Sequence, residues 1–134
     1  MSTSHQSGIH WAAVALGAGA GYVLQLAAGL LVGSSQSPLA FTFSGFIGLL
    51  VGGFVSARLA GRQELLHGTL AAVPFIMISE FIRLSGEMEL ARAVPEAVPK
   101  INMVGLAMGD LVLLAGAAAG GWLAGLMATE RKEP

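Results

Sequence analysis

Cysteine is absent from the 134 residues, which excludes a disulfide framework, a thiol nucleophile and an S-lipidated anchor. Charge is scarce as well. Asp, Glu, Lys and Arg make up 11% of the chain, less than half of the roughly 25% in an average soluble domain. Seven basic and eight acidic side chains are too few to cover a water-soluble domain of this length. A net charge of −1 leaves no basic surplus for a polyanion, so no nucleic-acid partner is expected. Catalytic constellations are missing in turn. The sequence holds no HExxH, no GxSxG, no P-loop and no second carboxylate at metal-ligand spacing from Asp110 along its helix. Gly17-Ala18-Gly19-Ala20-Gly21 has the look of a dinucleotide turn, but it lies inside an apolar run that no strand precedes. The expectation is a chain that is not an enzyme and needs neither cofactor nor metal.

What the chain has in excess is apolar surface, 54% of its residues, together with 19 glycines. Four runs, at 11–32, 40–59, 65–84 and 101–127, reach the roughly 20 residues needed to cross a hydrocarbon core. They are continuous and not alternating, which predicts helices and not lipid-facing strands. The fold expected is therefore all-α, a polytopic membrane protein with four transmembrane helices in one domain over 1–134. The first run follows a segment without Lys or Arg and exceeds the apolar core of a signal peptide, so it reads as a retained helix. Pro74 in the third run frees the Leu70 carbonyl and predicts a kink. Residues 60–64 form a tight charged hairpin in which Gly61 suits a left-handed cap. The outer loop, 85–100, sets Met88, Ala91 and Val94 opposite Glu87, Glu89 and Arg92, predicting a short interfacial helix between spans 3 and 4. Beyond it, Pro95 and Pro99 predict a stiff extended strap.

Four crossings put both ends on the side of the 60–64 hairpin. That side carries Arg58, Arg62, Arg131 and Lys132; the other carries Arg83, Arg92 and Lys100. The positive-inside rule then favours cytoplasmic termini. Arg58 and Arg62, one turn apart, and His67 are placed to meet lipid phosphates or headgroups. His10 and His67 fall near the same face, where axial haem ligation is a minor alternative to hydrogen bonding with headgroups or carbonyls. Trp11, Tyr22 and Trp122 read as interface anchors and packing aromatics.

Lipid tails solvate apolar side chains as well as protein does, so membrane helices cohere through close backbone approach and polar contacts. Small residues recur every fourth position in three runs, in the GxxxG manner. Gly17, Gly21, Gln25 and Gly29 mark the first, Gly48 and Gly52 the second, and Gly105, Gly109, Gly121 and Gly125 the fourth. Such grooves serve tight packing, or one of them serves an oligomer face. A faint repeat aligns Gly52-Gly53-Phe54-Val55-Ser56-Ala57 with Gly120-Gly121-Trp122-Leu123-Ala124-Gly125 at an offset of 68. Both segments run in the same direction, as in a parallel duplication. Ionisable groups inside a span are functional suspects. Asp110, about four residues from the middle of its run, leads them, with Glu80 and Arg83 in the same outer half of the bilayer. An Arg83–Glu80 pair, with Arg83 or a Ser hydroxyl reaching Asp110, would make a clasp; the other reading is an ion or proton site. Gln25, mid-span, is expected to hydrogen-bond between helices.

The run Gly52-Gly53-Phe54-Val55-Ser56-Ala57-Arg58-Leu59-Ala60-Gly61-Arg62, followed by His67-Gly68-Thr69-Leu70, resembles a signature of small bacterial four-helix membrane proteins of the YrzE-like type. There a Gly-Gly-x-x-Ala-Gly-Arg run and a charged hairpin lead to His-Gly at the next helix. Here Ser56 and Ala57 stand in place of the Ala-Gly before Arg58. The resemblance spans about 20 residues and the four-span layout; it implies topology and a bacterial plasma-membrane location, not chemistry. Two functions remain open. One is a structural or accessory subunit that associates with lipid and with other membrane helices, its own or a larger complex's. The other is a small ion- or proton-coupled transporter or channel subunit using Asp110 and Glu80.

Overall fold

The computed structural model describes residues 8–32, 38–97 and 102–129. Five α-helices follow one another: α1 (Trp11–Val32), α2 (Pro38–Ala60), α3 (Glu64–Leu70), α4 (Ala72–Ala93) and α5 (Met103–Thr129), with a 3-10 turn at Pro95–Ala97 between the last two. No strand occurs among the described residues. Taken together, α3 and α4 form one span, so the protein has four helices long and apolar enough to cross a bilayer.

Local chemistry sets the boundaries. Pro38 opens α2, where a missing N–H costs nothing. Gly61 takes φ +65°, so the chain leaves α2 through a left-handed residue and turns at once. Gln63 is left-handed as well, at φ 46°. Pro74 cannot donate to the Leu70 carbonyl, and the helix breaks just there. At Ala71 the N–H is shared between the carbonyls of His67 and Gly68, 3.2 Å from each. Asn102 opens α5 by accepting the Gly105 N–H at 3.1 Å.

Two of the expected outer features differ. No separate interfacial helix forms, because α4 continues unbroken to Ala93; residues 85–93 have good helix formers and no proline to stop them. Pro95 then sits in the 3-10 turn and not in an extended strap. Pro99, Lys100, Arg131 and Lys132 lie outside the described residues.

Glycine brings α2 and α5 together at the centre, with α1 against α2, and α3 against both α5 and α2. At the α1–α2 crossing, a methyl on Gly17 would lie 2.5 Å from the Gly52 carbonyl oxygen, and one on Gly48 would lie 2.6 Å from that of Gly21. Between α2 and α5, any side chain on Gly53 would run into Ala117, and any on Gly120 into Leu50. Neighbours rise in number together along these two helices (Gly45 with Leu113, Phe46 with Gly116, Leu50 with Gly120), so they run parallel. Gly68 of α3 meets Gly121 of α5 backbone to backbone. The apolar core is correspondingly small: Ala18, Leu49, Ala72, Phe75 and Ala117, with Tyr22 edge-on to Phe75 at 5.8 Å.

Candidate functional site

Polar side chains gather in two places, one at the 60–64 hairpin and one toward the far end of α4. At the hairpin end His67 is wholly enclosed, 0% exposed. Its Nε2 accepts the backbone N–H of His10 at 2.9 Å. The ring proton therefore sits on Nδ1, 3.2 Å from the Gln63 carbonyl. The His67 carbonyl accepts the hydroxyl of buried Ser56 at 2.9 Å. His10 uses its own Nδ1 to accept the Ala13 N–H at 3.3 Å, capping α1, while its carbonyl accepts the first helical bond from Val14. Alongside, Arg62 donates to the Gly8 carbonyl at 3.0 Å. Two imidazoles thus satisfy backbone donors that open α1, and one of them joins α1, α2 and the hairpin.

This corrects the placing of His67 among headgroup ligands: burial removes it from lipid, and both ring nitrogens are engaged within the fold. Axial haem ligation is displaced with it, because the Nε2 lone pair already serves His10. Arg58 lies over the Phe54 ring, 6.0 Å from its centroid. Arg62 remains exposed at the hairpin.

Farther along, α4 carries a ladder on itself. Arg83 donates to Glu80 Oε2 through Nε at 3.0 Å and Nη2 at 2.6 Å, and its Nη1 bonds Glu87. The Arg83–Glu80 pair is as expected; Glu87 joins it at the i, i+4 spacing that the sequence also carries. Asp110, across on α5, is half-buried, and the charges of Glu80 and Arg83 both act on it. No hydrogen bond or ion pair links Asp110 to any described residue. The expected clasp from Arg83 to Asp110 is therefore not formed; the guanidinium turns to Glu80 and Glu87 of its own helix. The Ser79 hydroxyl, one turn before Arg83, is buried without a partner. Gln25 is buried on α1 and packs on Gly45 and Gly48 of α2. Among the described residues no three His, Asp or Glu side chains converge as metal ligands would.

No family model, curated protein or solved structure matches this chain.

The glycines divide by environment. Gly17, Gly21, Gly48, Gly52 and Gly121 lie at helix crossings, whereas Gly29 and Gly109 have nothing within 4 Å. Gly105 meets only Asn102 of its own cap, and Gly125 only the Glu64 Cβ at 3.7 Å. Gly45, Gly53, Gly68, Gly116 and Gly120, which lie off the expected every-fourth-residue stripes, are closely approached as well. The groove on α5 thus lies along its second half.

Proposed function

We propose that this chain is a non-enzymatic subunit of a membrane assembly, one that builds by packing further transmembrane helices against its own. The observation that carries the reading is the state of α4 beyond Phe75. Its length is helical to Ala93, yet Met77, Ile78, Phe81 and Ile82 are all exposed, and Arg83 pairs with Glu80 and Glu87 of the same helix instead of with a neighbouring one. A helix so arranged has little to hold it in the single chain, because apolar contact with lipid gives no orientation. The four-span layout suits a bacterial plasma membrane with both ends cytoplasmic, where Arg58 and Arg62 meet anionic headgroups. The test is the mass of the protein in lipid nanodiscs by native mass spectrometry. A particle containing more than one 13.7 kDa chain, or that chain with a stoichiometric partner, is expected. A single chain at all loadings overturns the reading.

A second reading, an ion- or proton-coupled path, draws on the unbonded Asp110 carboxyl beside Glu80. Asp110→Asn discriminates between the two: the assembly reading expects unchanged nanodisc mass and no flux in liposomes of either variant. Flux through the parent chain that the substitution abolishes would favour the path.

A further inference from the structure

Building on the assembly reading, we infer that the partner is a second copy of this chain, and that the two copies pair in parallel along α4 through Met77, Phe81, Leu84, Met88 and Ala91. These residues recur at alternating steps of four and three, the a/d spacing of a two-stranded coiled coil. They lie on the side of α4 opposite Ala72 and Phe75, which are buried in the bundle. Phe81 is 72% exposed and Met88 58%, with Met77 and Leu84 bare beside them. Ala91 at the end of this seam admits close approach, and the methionines adapt to the facing surface.

Lipid does not account for this face along its whole length. The span formed by α3 and α4 has 30 residues, about 45 Å at 1.5 Å each, against a hydrocarbon core of about 30 Å. At a tilt of about 20°, typical of membrane helices, it still reaches about 42 Å. Measured from the charged hairpin, Met88 and Ala91 stand past the acyl chains. There the exposed Met88 and the half-buried Ala91 face water unless protein covers them.

Charge selects the second copy as that cover. Glu87 precedes Met88 at a g position, and Arg92 follows Ala91 at an e position. In a parallel pair, g of one helix lies beside the e five residues on in the other. Glu87 of each copy therefore meets Arg92 of the other, twice by symmetry, and Glu80 meets Ser85 in the same way. Within a single chain Arg92 makes no ion pair with a described residue, while Arg83 occupies only one oxygen of Glu87. An antiparallel pair would instead oppose Glu80 to Glu87 and repel. The pattern thus fits two chains inserted with the same orientation.

Because the chain has no native cysteine, single cysteines report the interface cleanly. Phe81→Cys, Leu84→Cys and Met88→Cys lie on the seam, and Ile82→Cys and Glu89→Cys lie off it. The full chain in liposomes is oxidised with copper phenanthroline while its mass is followed in nanodiscs. Disulfide dimers are expected at the three seam positions at least about tenfold faster than at the two others, as a/d geometry requires. Arg92→Glu should slow the Met88→Cys reaction several-fold, and adding Glu87→Arg should restore it. Cross-linking at equal rates across all five positions, in a protein that is multimeric by mass, overturns this interface and leaves the assembly reading standing. A monomeric mass with no cross-links at any position overturns both.

Discussion

Removing the His67 imidazole takes the only described acceptor from the His10 N–H and leaves a hole between α1, α2 and the hairpin. His67→Ala is expected to destabilise the protein by about 2–4 kcal/mol, from the cavity and the unpaired donor together. His67→Phe refills most of the space but not the acceptor, and should still lose about 1–3 kcal/mol. At the neighbouring Gln63, held at φ 46°, Gln63→Gly relieves a left-handed backbone and should add up to about 1 kcal/mol. Reversible unfolding in mixed micelles measures all three. A His67→Ala protein as stable as the parent would mean that the N–H finds water. The sequence places His10 and His67 near one face but does not foretell the burial of His67. Its sequence neighbours announce a hairpin and a water boundary, and the partner that buries it lies 57 residues away at the start of α1. The Arg83–Glu80 pair, by contrast, was legible because helix periodicity alone brings its members together.

Helix by helix, the glycines separate two effects of opposite sign. Where the neighbouring backbone is in contact, as at Gly53 and Gly120, an added methyl has nowhere to go. Gly53→Ala and Gly120→Ala should each force α2 from α5 and destabilise the bundle by about 2–3 kcal/mol. Where space is open, as at Gly29 and Gly109, alanine only improves helix propensity, so Gly29→Ala and Gly109→Ala should gain about 0.5–1 kcal/mol. The same unfolding measurement checks the contrast, which is lost if all four substitutions move stability in one direction. A count at every fourth residue puts Gly109 and Gly121 on one stripe of α5, although only Gly121 meets another helix. The error is physical. Since α5 lies between α2 and α3, it needs two narrow faces side by side, Gly116 and Gly120 toward α2, Ala117 and Gly121 toward α2 and α3. The adjacent pairs Gly52-Gly53 and Gly120-Gly121 were the legible sign of helices packed on two sides. Pro74, read as a kink, has its break at Ala71 because a missing N–H acts one turn upstream whatever surrounds it.

Across the whole molecule, the two glycine-paired helices stand side by side and parallel, Phe46 beside Gly116 and Leu50 beside Gly120. The weak repeat at an offset of 68 in the sequence thus corresponds to neighbours in space. The two halves are not equal, however. The α1–α2 hairpin fits a bilayer, whereas the α3–α4 span has 30 residues and α5 has 27, so one side of the protein outgrows lipid. Span lengths taken from hydropathy could not show this, because Glu87, Glu89 and Arg92 mark the end of an apolar run and carry no instruction to end a helix. The asymmetry predicts a distinct labelling pattern in sealed vesicles. Glu89→Cys, off the seam and past the acyl chains, should react with a membrane-impermeant maleimide as fast as an exposed thiol. Met77→Cys, deep in the core, should be slower by about two orders of magnitude, since the reactive thiolate is strongly disfavoured there. Gln63→Cys should react only with reagent supplied to the opposite face. If Glu89→Cys and Met77→Cys are equally protected, α4 lies wholly within lipid; if Gln63→Cys and Glu89→Cys share a face, the third span does not cross.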